Sequence, residues 1–236
     1  GFVSTIKIIF AFSMVLSGVF CFFWLSKLFD RFSAFLGGLF YIYLPYHLYD
    51  LYTRGSIGEL LALAVVPFVL WQIERKSFFW TTLGIGFLIL AHNTLALMFL
   101  PVIIIYMLLD VFISKAKRKQ LLYKYGLTLI LGLGISSFFW IPAVFDLQYT
   151  IFSKTPVSKW SSYFVDINLV GLATVLVFVL AGALLLLKKI KIAKSWLTLI
   201  VFIIGLKSLF FAMPISSQLW DILPVSFIQF PFRFLS

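Results

Sequence analysis

Apolar residues in this chain neither alternate nor recur at the spacing of a surface helix; they come in long runs parted by short polar links. The runs cover about 6–26, 32–44, 57–73, 78–91, 94–113, 125–140, 169–187 and 196–212. Most far exceed the roughly ten alternating residues of a barrel strand, so the pattern predicts membrane helices. The expected fold is all-α, a polytopic transmembrane bundle of about eight segments forming one integral membrane domain over 1–236. The run 32–44 is short for a hydrocarbon core of about 30 Å. Residues 77–113 are too many for one span and are interrupted at His92-Asn93. That interruption predicts two helices joined by a tight polar turn, with Thr94 capping the second, or a re-entrant hairpin. The chain opens on Gly1 and closes on Phe-Arg-Phe-Leu-Ser, the expectation being a piece of a longer protein.

Composition agrees with a membrane location. With 63% hydrophobic and 11% charged residues, the chain lies far from the roughly 25% charged residues of a soluble domain. A net charge of +11 raises the question of nucleic acid, but the placement of the charges answers it. Thirteen Lys/Arg fall in the links 27–31, 74–76, 114–124 and 188–194, against four (Arg54, Lys154, Lys159, Arg233) in 45–56, 92–93, 141–167 and 213–236. This asymmetry is the positive-inside signature and puts the second group of links on the extracytoplasmic face. The basic clusters then read as topology signals in contact with anionic lipid, and no nucleic-acid partner is expected. Five of the eight acids (Asp50, Glu59, Asp146, Asp166, Asp221) fall on the outer side. The single Cys21 lies in an apolar run and excludes a disulfide framework.

The densest polar stretch is 45–59, Pro-Tyr-His-Leu-Tyr-Asp-Leu-Tyr-Thr-Arg-Gly-Ser-Ile-Gly-Glu. Charges beside apolar runs cost free energy unless they pair or face water. Asp50 and Arg54 are four apart, the spacing at which helical side chains meet. Glu59 falls in the first turn of the next apolar run, where the helix dipole favours a carboxylate. This stretch reads either as a well-capped membrane loop or as one wall of a polar site, with Asp50 and Glu59 as candidate catalytic acids. Arg54, His92, Asn93, Asp146, Gln229 and Arg233 are the candidate substrate-binding groups, all on links assigned to the outer face.

Each has a plainer reading beside the functional one. His92 suits a helix-end hydrogen bond or a general base. Arg233 and Arg54 suit snorkelling to headgroups or bidentate grip of a phosphate. Trp140, Trp160 and Tyr163 fit an aromatic belt. Two histidines and one cysteine at unrelated spacings give no metal signature, and no cofactor is expected. Gly84-Ile-Gly86 and Gly132-Leu-Gly134 read as helix-packing glycines.

Leu51-Tyr-Thr-Arg54-Gly55 with Glu59, the His-Asn break, Trp140-Ile-Pro-Ala with Asp146, and Gln229-Phe-Pro-Phe-Arg233-Phe together carry a resemblance. Over most of its length the chain resembles membrane proteins of the "6-pyruvoyl-tetrahydropterin synthase-related" domain family, themselves similar to GT-C-type glycosyltransferases. The resemblance implies a multi-spanning protein of the cell envelope, in the plasma membrane of a prokaryote. It implies transfer of a hexosyl group from a polyprenyl-phosphate donor at the outer face, with membrane lipids as further partners. Such enzymes keep their principal acid in a first outer loop, which would precede Gly1. The pterin in the label belongs to a zinc-binding soluble enzyme, whose metal signature is missing here. The alternative is a flippase-like transporter of lipid or glycan, for which internal repeats and discontinuous helices near the midplane are the expected marks.

Overall fold

The computed structural model describes residues 1–149, 160–165, 170–186, 195–222 and 230–235, and every regular element among them is helical. They fall into two compact units, one of 1–43 with 50–146 and one of 44–49 with 147–236. Three helices are long and apolar enough to cross a membrane, or up to five spans if each of two bent helix pairs counts as one.

The first unit holds α1 (Phe2–Leu25), α2 (Arg31–Ile42), α4 (Ile57–Glu74), α5 (Phe78–Ala91), α6 (Asn93–Ile113), α7 (Arg118–Ile135) and α8 (Ser137–Asp146). Of these, α2 has 12 residues and α5 has 14. At 1.5 Å per residue they reach only about 18 and 21 Å, well short of a hydrocarbon core.

Helix α4 forms the core: its buried residues, among them Leu60, Leu63, Val66, Leu70 and Ile73, lie on all its faces. A helix apolar all round is stable only when surrounded. Phe20 and Phe23 of α1 pack against Phe68 and Trp71 of α4. Close approach of α1 and α2 needs glycine: a Cβ on Gly38 would lie 2.8 Å from the Gly18 carbonyl. Outward positions stay apolar, as with Phe12 and Val15 on α1 and Phe87 on α5, the surface lipid requires.

Pro67 interrupts the hydrogen-bond ladder inside α4. It has no N–H, so the carbonyl four residues back, that of Leu63, loses its helical donor. The Tyr41 hydroxyl of α2 donates to that carbonyl at 2.9 Å. A neighbouring helix thus satisfies the group that the proline frees, which the membrane interior demands.

Several boundaries differ from the sequence pattern. Residues 118–124, read as part of a basic link, are the first turns of α7. The break after α7 comes at Ser136 rather than at Pro142, with a bend of 67°. Gly132 and Gly134 weaken the helix there, and the Ser136 hydroxyl donates to the carbonyls of Gly132 and Leu133 in competition with the ladder. The Trp140 indole N–H crosses the bend to the Leu133 carbonyl at 2.9 Å, so it holds a helix break besides any interfacial role. Three of the four predicted packing glycines meet neighbours, whereas Gly134 faces open space.

The second unit contains α3 (Pro45–Tyr49), α9 (Leu172–Leu186), α10 (Ser195–Ala212) and α11 (Ser217–Ile222), with short 3₁₀ turns at 160–163, 214–216 and 231–235. Gly171 adopts φ +77°, and a Cβ there would meet the Pro45 ring at 2.7 Å. The Val165 N–H donates to the Ala212 carbonyl and the Trp220 indole to that of Phe211. Aromatic rings, including Tyr49, Tyr163, Phe230 and Phe232, pack together around the final turn.

Candidate functional site: a buried Asp–Arg–Glu–His cluster

Asp50 to Arg54 form one wide π-helical turn, closed by the Gly55 N–H donating to the Asp50 carbonyl at 2.8 Å. Gly55 sits at φ +61°, a conformation that favours glycine, and there the chain reverses into α4. The reversal returns Arg54 to both acids. Its Nη1 donates to Asp50 Oδ1 at 3.0 Å and also to Glu59 Oε2, while Nη2 donates to Glu59 Oε1 at 2.7 Å. Both carboxylates are fully buried, whereas the Arg54 side chain keeps 19% of its surface exposed.

Ser56-Ile-Gly-Glu59 has the spacing of a capping box. The box is not closed, because Ser56 makes no side-chain cap bond and Glu59 is engaged by Arg54. Gly58 brings the start of α4 against the end of α5: a Cβ there would lie 2.5 Å from the Ala91 carbonyl. His92 is the next residue, and its Nε2 lies 3.4 Å from Glu59 Oε1. His92 Nδ1 accepts from the Leu95 N–H at 3.2 Å, so His92, and not Thr94, caps α6. With Nδ1 accepting, the ring proton of the neutral imidazole sits on Nε2 and points at Glu59. The helix-end hydrogen bond, one of the two roles expected for His92, is present, and the same tautomer turns its other nitrogen toward Glu59.

The cluster therefore joins Asp50, Arg54, Glu59 and His92. With His92 neutral, it carries two negative charges and one positive. Asn93 adjoins it but turns away, its Oδ1 accepting from the Thr94 N–H at 2.7 Å. Asp146 is exposed at the end of α8, and no ion pair joins it to the cluster. Arg233, in the other unit, is buried, with its guanidinium 5.0 Å from the Phe230 ring centre. Its burial departs from snorkelling, one of the two readings expected of it. Gln229 lies outside the described residues. No group of three metal-ligating side chains is found among those described.

A second polar cluster lies at the opposite end of α4 and was not anticipated. The Tyr125 hydroxyl donates to Asp110 Oδ2 at 2.7 Å, and the Lys76 ammonium pairs with the same oxygen. The Tyr106 hydroxyl donates to Glu74 at 2.6 Å and accepts from the Trp24 indole at 3.1 Å. Lys76 is aimed there by backbone geometry. It sits at φ +57°, and the Lys76 and Ser77 N–H groups close back on Ile73 and Gln72 in a Schellman turn. One signal was present in the sequence: a lone Asp110 within an apolar run, which membrane energetics makes costly unless paired.

No family model, curated protein or solved structure matches this chain.

Proposed function

We propose that the chain is a glycosyltransferase-like protein of a prokaryotic plasma membrane, eight-segmented and GT-C-like. In this reading it acts at the extracytoplasmic face on a lipid-phosphate-linked sugar. The observation that carries the proposal is the Arg54 junction, a partly exposed guanidinium held by two buried carboxylates. A guanidinium clamped in one orientation can present N–H donors to a departing phosphate, so hydrogen bonding, and not the net charge of the cluster, is what it would supply.

In the proposed step the acceptor oxygen bonds to the anomeric carbon. The bond from that carbon to the phosphate oxygen breaks, and its electron pair leaves with the polyprenyl phosphate. The acceptor proton passes to a carboxylate. Glu59 gives both oxygens to Arg54 and is braced by His92, which suits a positioning role. Asp50, held by the same guanidinium, is the acid we assign to the proton.

Transport is the weaker reading on one observation. Between Glu59 and Glu74, residues 60–71 of α4 are wholly apolar, and the polar clusters lie at its two ends. A translocation path calls for polar groups near the midplane.

Arg54→Lys tests the proposal. Lysine keeps the charge facing both acids but loses the fork. Loss of a charged hydrogen bond, about 1.5–3 kcal/mol, should weaken polyprenyl-phosphate binding to detergent-purified protein by about tenfold or more, and the fork lost to the two buried carboxylates should lower the melting temperature as well. Affinity equal to wild type contradicts the phosphate role. In proteoliposomes supplied with a polyprenyl-phosphate hexose, release of polyprenyl phosphate supports transfer, and movement of the intact donor across the bilayer contradicts it.

A further inference from the structure

Helices α5 and α7 run parallel, and a groove of about 410 Å³ opens between them. Phe78, Phe79 and Leu83 line one side, and Leu127, Leu131 and Ile135 the other. Phe79, Leu127 and Leu131 are exposed, so the groove opens sideways where lipid lies. Among the described residues its one charged lining side chain is Lys124, at the end nearest the basic link, with its ammonium 4.8 Å from the Phe78 ring centre.

From Lys124 to Ile135 is eleven residues, about 16 Å along a helix, and half of a hydrocarbon core is about 15 Å. The groove therefore has the length of one leaflet, with a cation at the headgroup level of the side that the Lys/Arg asymmetry makes cytoplasmic. Asp110 does not cancel that cation, because Lys76 already neutralises it. Basic pockets between membrane helices on the cytoplasmic side suit anionic headgroups.

We infer that this groove is a binding site for one anionic glycerophospholipid of the inner leaflet. An acyl chain lies along Leu83, Leu127 and Leu131, and the phosphate pairs with Lys124. The site is independent of the Arg54 cluster and of the chemistry proposed for it.

Native mass spectrometry of the whole chain, incubated with palmitoyl-oleoyl phosphatidylglycerol or the matching phosphatidylcholine, tests the inference. One phosphatidylglycerol should be retained in preference to phosphatidylcholine. Lys124→Gln should lower that retention about fivefold, the effect of one basic residue near a charged surface, and Lys124→Arg should restore it. Lys119→Gln removes the same charge from an exposed position outside the groove and should leave retention unchanged. Leu131→Trp, which fills the groove, should abolish retention of both lipids. Equal retention of the two lipids by wild type, or equal losses in Lys119→Gln and Lys124→Gln, overturns the site. So does a dimer that Leu131→Trp splits without changing lipid retention, since a second copy would then fill the groove.

Discussion

Arg54 shows how much one residue organises. Two carboxylates at 0% side-chain exposure are tolerable only with a partner, and removing one member of such a set costs roughly 3–5 kcal/mol. The Asp50–Arg54 pair was legible because four residues is a contact spacing. Glu59–His92 was not: Gly58 permits a helix start close to a neighbouring backbone, but only the packing of α4 on α5 makes that neighbour Ala91 and brings in His92. His47, in the short helix α3, gives a second residue-level consequence. Burial pushes its imidazole down to about 4 from an ordinary 6.5. Between those values the unfolded chain binds more protons than the folded one. Stability from this group is therefore full above pH 6.5 and is lost as pH falls toward 4. The loss should be about 3 kcal/mol, at about 1.4 kcal/mol per pKa unit. Melting curves at several pH values should show this loss in wild type and much less of it in His47→Gln. Identical pH profiles would remove His47 from the explanation.

Among elements, α4 sets the arrangement of its unit, and Pro67 in its middle makes it depend on α2. A buried carbonyl left without a donor costs about 1–3 kcal/mol, so Tyr41→Phe should destabilise by that amount. Pro67→Ala restores the helix's own N–H to the Leu63 carbonyl. In that background Tyr41→Phe should cost much less, and thermal melting of the four proteins measures the difference. Equal costs in both backgrounds would show that the hydroxyl serves some other contact. The positions of most helices were readable from apolar runs, since membrane burial makes the hydrophobic signal continuous. The start of α7 and the bend at Ser136 were hidden. Lysines suit helix ends as well as links, and the bend depends on hydroxyl–carbonyl bonds that composition does not reveal. The same limit hid Tyr41, whose partner is a backbone group 22 residues away.

In the first unit, the two clusters of charged side chains lie at the two ends of α4. Asp50, Arg54, Glu59 and His92 occupy one, and Glu74, Lys76, Asp110 and Tyr125 the other, with fifteen residue steps along α4 from Glu59 to Glu74, about 22 Å, between them. The Lys/Arg asymmetry of the links assigns a sidedness to these ends, and on that sidedness rest both the proposed outer-face chemistry and the inner-leaflet lipid site. Substituted-cysteine labelling in sealed vesicles measures it directly. Tyr52, 81% exposed beside the Arg54 cluster, and Lys119, exposed near the start of α7, are suitable positions, introduced into a Cys21→Ser background. An impermeant maleimide applied from outside right-side-out vesicles should label Tyr52→Cys intact and Lys119→Cys only after the membrane is opened. Labelling of both from outside, or of Lys119→Cys alone, would contradict an extracytoplasmic Arg54 site.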